Sequence, residues 1–88
     1  MNQRDAIHSG YNDLKQVEMS IQAAERIVGS ATMSLDPEML DGAKRAIADA
    51  HNRLNEARQN ATGVDNEFLQ ECERNLAKIE HQLKEALR

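Results

Sequence analysis

Four side chains in this 88-residue chain have types suited to phosphotransfer, metal binding or nucleophilic attack: His8, His51, His81 and Cys72. His51 sits inside AIADAHNRLNEA, a stretch with helical composition. A phosphate-accepting histidine needs a solvent-facing helix surface, with Lys and Gly soon after it. Here Asn52-Arg53-Leu54-Asn55-Glu56 follows instead. The residues favour His51 as a polar partner across a helix seam. His81 and Glu85 are four apart, so one helix face would offer two metal ligands. Di-iron bundles use repeated Glu-x-x-His motifs, whereas Glu80 and His81 are adjacent. His8 has only Asp5 within a helical turn on its N-terminal side.

Cys72 recurs with apolar residues, the setting of a buried structural thiol. Gly10, Gly29, Gly42 and Gly63 are isolated, so no glycine-rich phosphate loop is present. Glu67, Glu71 and Glu73 read as the acidic start of a helix. No catalytic residue, cofactor or metal site is assigned on this basis.

The elements that must position these groups are helical. Gly and Pro are scarce, aromatic residues make up 2%, and charged residues 30%. That mixture disfavours both β-rich and disordered chains. Eighty-eight residues make one domain with a modest core. A single cysteine rules out an internal disulfide.

The formal net charge of −4 lacks the basic footprint of a nucleic-acid binder. No apolar run approaches the ~18 residues of a membrane span. The start MNQRDAIHSG has no apolar signal region. A cytoplasmic protein is expected, with no nucleic-acid or membrane partner.

Three segments carry heptad spacing. In the first, about residues 2–28, Ile7, Leu14, Ile21 and Val28 take a, and Gly10, Val17, Ala24 and Ala31 fill the d positions three residues on. Gly29-Ser30 should end it, leaving GSATMSL as a connector with Met33 and Leu35 tucked under the bundle end. Asp36-Pro37 should start the second, about 37–60, by capping and by proline at the first helical position. Leu40, Ile47 and Leu54 take a, and Ala43, Ala50 and Ala57 take d. Gly63 suits a left-handed helix stop. The third segment, about 65–87, should begin at Asp65, with Val64 and Leu69 at staple spacing. Leu69, Leu76 and Leu83 take a; Cys72, Ile79 and Ala86 take d.

The fold expected is all-α: an up-down-up antiparallel three-helix bundle, coiled-coil-like, over one domain, 1–88. A helical hairpin that dimerises into a larger bundle is the competing architecture. Antiparallel registry puts Ile7, Leu14 and Ile21 opposite Ala57, Ala50 and Ala43. It puts Leu54, Ile47, Ala50 and Ala43 opposite Cys72, Ile79, Leu76 and Leu83. The e positions of the second segment are Lys44, His51 and Arg58. His51 therefore meets Glu18 or Glu80, according to the hand of the bundle. Arg53 facing Asp13 across g positions would select Glu80.

Met19 falls at f, opposite the seam. Ile27, Met33, Leu35 and Met39 gather around the first connector, partly off the seam. Met19, Met33, Leu35 and Met39 are thus candidate partner contacts, since methionine suits adaptable surfaces. Capping of the bundle end is the plainer reading of the same residues.

In size, helical layout and the run MNQRDAIHSGYNDLKQVE, the chain resembles short uncharacterised cytosolic helical proteins of Bacillus-type bacteria. The resemblance implies a bacterial cytosolic protein and assigns no activity. The functional expectation is a small non-enzymatic protein-interaction module: a regulator, adaptor or inhibitor docking a helix face. Its partner is an unidentified protein or a second copy. Alternatives are a histidine phosphoacceptor, a metal-carrying helical protein, or a self-associating structural protein.

Overall fold

The computed structural model describes residues 9–88, with side chains at 13–63 and 65–88. Three helices follow in order: α1 (Ser9–Ser34), α2 (Pro37–Gln59) and α3 (Gly63–Leu87). All three pairs pack together, α1 with α2 most extensively. The body measures 45 × 28 × 15 Å. Its long axis is set by helices of ~1.5 Å rise per residue, about 35–39 Å each. The expected all-α three-helix architecture is the one observed. Ile7, His8 and Asp5, and the side chain of Val64 with its proposed staple, lie outside the described residues.

The core follows the heptads. Val17, Ile21, Ala24, Val28 and Ala31 are buried from α1. Ala43, Ile47, Ala50, Leu54 and Ala57 are buried from α2, and Leu69, Cys72, Leu76, Ile79 and Leu83 from α3. No polar or charged residue is buried among the described residues. The alanines at d let α1 and α2 approach closely. The large side chains of α3 then close the third side.

Helix α1 corrects the sequence reading. It does not stop at Gly29-Ser30 but runs one and a half turns further. An interior glycine costs about 1 kcal/mol relative to alanine. Continuing the helix past Gly29 buries Ala31 completely, at the heptad position that follows Ala24. Within the extension the Thr32 hydroxyl donates to the Gly29 carbonyl at 3.0 Å.

The connection to α2 is then only Leu35 and Asp36. Leu35 takes a left-handed conformation, φ 57°, and its N–H bonds the Ala31 carbonyl at 2.8 Å. Asp36 caps α2 as expected, accepting the Glu38 N–H at 2.8 Å, with Pro37 behind it.

The second turn also differs in detail. Asn60, at φ −108°, closes α2 by donating its N–H to the Ala57 carbonyl. Gly63 is no left-handed stop; it opens α3, and no described glycine has positive φ. Thr62, in extended backbone, is the N-cap, without a side-chain cap bond. Asp65, expected there, lies in the first turn, where its charge still complements the helix dipole.

The longer α1 moves the register of the first pair by one heptad. The chain now reverses between Ser34 and Pro37. Side-chain bonds join Arg53 to Gln16, and Asn60 to Asp13 at 3.4 Å. These links set Leu14 near the level of Ala57, not Ala50. Ile21 shifts to Ala50, and Val28 to Ala43. Large still faces small, because a shift of seven preserves the pattern.

Candidate functional site

His51 meets Glu80. Its Nε2 lies 3.3 Å from Glu80 Oε1, and both side chains are about two-fifths exposed. Two turns along, Arg58 pairs with Glu73. The two pairs form an e-to-e ladder between α2 and α3. On the other flank of α2, the Asn60–Asp13 contact joins g positions of α1 and α2. Glu18 instead rims the crevice between α1 and α3. The hand of the bundle is thereby fixed, and His51 sits in an exposed pair with no nucleophilic or metal-binding companion among the described residues.

The same register puts a third rung at Lys44 and Leu87, where the acid is missing. Lys44, Ile47, Ala48, His51, Glu80, Leu83, Lys84 and Leu87 line a groove of about 330 Å³. The floor is aliphatic and the two lysines stand on its rim. Leu87 is 45% exposed. The signal for this site was present in the e-position series Glu73, Glu80, Leu87. Its last member is apolar, which leaves this end of the ladder without an acid.

A larger crevice of about 580 Å³ separates α1 from α3. Ile21, Cys72 and Ile79 form its floor, and Glu18, Glu25 and Glu71 crowd its rim with Lys78. Burial pushes the Cys72 thiol above its usual range, and the nearby Glu18 and Glu71 carboxylates push the same way. Cys72 occupies the core d position expected of it. Glu71 is held below the ordinary carboxylate range, first by a hydrogen bond from Arg74 and then by the charge of that arginine.

The four candidate contact residues do not form one surface. Met33 is 87% exposed and Leu35 54%, so neither tucks under the bundle end. The extension of α1 swings both onto the tip of the α1–α2 hairpin. Met39 is there too; the Ser34 hydroxyl approaches its sulfur at 3.3 Å. Met39 also lines a shallow groove with Ile27, Arg26, Ser30 and Gly42. Met19 is exposed on α1, fourteen residues or roughly 21 Å before Met33 along the helix. It stands apart from the tip.

His81 and Glu85 do approach, at 3.7 Å. No cluster of three or more His, Cys, Asp or Glu able to hold a metal occurs among the described residues. No helix among them is long and apolar enough to cross a membrane.

The uncharacterised protein YpzA of Bacillus subtilis (strain 168) is 32% identical over 77 residues, spanning 88% of this chain and 85% of that protein. No solved structure matches. A family model described as "Protein of unknown function (DUF2564)" matches residues 10–88, and the chain belongs to that family.

Proposed function

We propose that this chain is a small non-enzymatic protein-interaction module, a regulator, adaptor or inhibitor working in the cytoplasm. It docks its partner through the tip of the α1–α2 hairpin. Leu35 carries the reading. Left-handed backbone costs a residue with a Cβ about 1–2 kcal/mol, and glycine or asparagine is the usual choice at a helix stop. Here a leucine holds that conformation while 54% exposed. The fold gains little from this side chain and bears strain to present it. Strained positions of this kind cluster at functional surfaces. Met33 and Met39 extend the apolar tip with adaptable side chains.

The test is affinity capture by the full chain and by Leu35→Gly, from a lysate of a Bacillus-type host. Leu35→Gly keeps the turn and removes the knob. A partner held by the parent and lost by this variant supports the module. A partner retained equally by Leu35→Gly and by Met33→Glu/Met39→Glu removes the tip from the reading.

A further inference from the structure

We propose that the groove between α2 and α3 binds a long-chain carboxylate, with its anionic head at Lys44 and Lys84 and its acyl chain along Ile47, Ala48, Leu83 and Leu87. The proposal stands on different residues from the docking tip and does not depend on it.

Charge is the first argument. Two rungs of the α2–α3 ladder are closed, by Arg58–Glu73 and His51–Glu80. At the third, Lys44 faces Leu87 and has no carboxylate within 4 Å among the described residues. Lys84, on the same rim, also has no carboxylate within 4 Å among the described residues. Two ammonium groups thus border one end of an aliphatic floor whose other end is closed by the His51–Glu80 pair, and an anion attached to an apolar chain, head at the lysines and tail toward that pair, satisfies both features at once.

Size is the second. The groove holds about 330 Å³, at the low end of small-molecule sites of ~300–1,000 Å³. One turn of an α-helix, ~10 Å across and ~5.4 Å long, fills ~420 Å³, so a helix would lie over this groove and not within it, whereas a single aliphatic chain is slim enough to enter.

Polarity is the third. An extended peptide would carry its own N–H and C=O groups into the groove. Ile47, Ala48, Leu83 and Leu87 offer side chains with no hydrogen-bond partner for them, and unpaired backbone groups are costly to bury. An acyl chain has no such groups. A second copy of this chain, net charge −4, would bring its lysine pair against this one in a two-fold arrangement.

The experiment titrates laurate, below its micellar concentration, into the full chain and follows backbone amides by NMR. Saturable shifts at Lys44, Ala48, Lys84 and Leu87 are expected. Dodecanol, the same chain without the charge, should bind about tenfold more weakly, the scale of one charge-assisted contact. Lys44→Gln/Lys84→Gln should weaken laurate by about the same factor. Arg45→Gln, on the exposed face of α2, should leave it unchanged. Circular dichroism confirms that each variant keeps its helices. Absence of saturable shifts overturns the proposal. So does equal binding of laurate and dodecanol, or a double variant that folds and binds as before. Binding of an acidic peptide at these residues with laurate excluded overturns it in favour of a protein partner.

Discussion

His51 on α2 lies against Glu80 on α3, and Glu18 on α1 is turned to a different crevice. One contact between partly exposed side chains thus reports the hand of the whole bundle. It also bounds what His51 contributes. Exposed ion pairs are worth about 0–1 kcal/mol.

We expect His51→Ala and Glu80→Ala each to change stability by less than about 1 kcal/mol. The coupling in the double-variant cycle should be about 0.5 kcal/mol and should fade with added salt. Urea denaturation of the four proteins measures it. Coupling above about 2 kcal/mol would show a role beyond an exposed pair.

Leu35→Gly should raise stability by about 0.5–1 kcal/mol, because glycine adopts left-handed backbone without a Cβ clash. For a chain of this size that is several degrees in Tm, on the order of 4–8 °C per kcal/mol. A lower Tm would mean that the leucine side chain packs on the bundle after all.

Gly29→Ala should also stabilise, by about 1 kcal/mol. Gly29 is inside α1 with negative φ, and an added Cβ meets no atom within 4 Å. Thermal melts of the single variant check it. A fall in Tm would point to a neighbour that approaches Gly29 more closely than the structure shows.

Ala50→Leu should cost about 1–3 kcal/mol or more, since Ala50 is fully buried in the seam and extra methylenes force the helices apart. Ala48→Leu, exposed on the same helix, is the control and should be near neutral. Equal effects at the two positions would show that the alanine seam is not closely packed.

Cys72 should alkylate slowly in the folded chain, with a pH–rate midpoint above the ~8.5 of an ordinary thiol. The sign for stability follows. A raised folded-state value means that the contribution is complete below the unfolded value. It is lost as pH rises from there through the folded value. Iodoacetamide labelling with mass detection, from pH 7 to 10, measures the first. Labelling as fast as in urea would show an open thiol.

The heptads made the core legible, because burial of one stripe per helix dominates the energetics of a chain this small. The caps were less so. Asp36-Pro37 announced itself, since both residues act locally. Gly29 and Gly63 misled, because glycine permits a helix end without requiring one. At Gly29 the heptad itself runs on to Ala31, and burial of that residue in the core carries the helix through the glycine. The His51–Glu80 pair was one of two options, and no local feature separates them. Hand is a property of three helices together. Leu35 could not be foreseen as exposed, since its exposure follows from where α1 ends.

The two-residue link between α1 and α2 has a kinetic consequence. Ser34 ends α1 and Pro37 begins α2 two residues later, so zipping this antiparallel pair closes only short loops, and local contacts form fast. The α2–α3 link is nearly as short, but α1 and α2 share the most extensive packing, so we expect this hairpin to assemble first and α3 to dock onto it later. Stopped-flow chevrons would then separate the two: Ala50→Gly would mainly slow refolding, and Leu83→Ala would mainly speed unfolding.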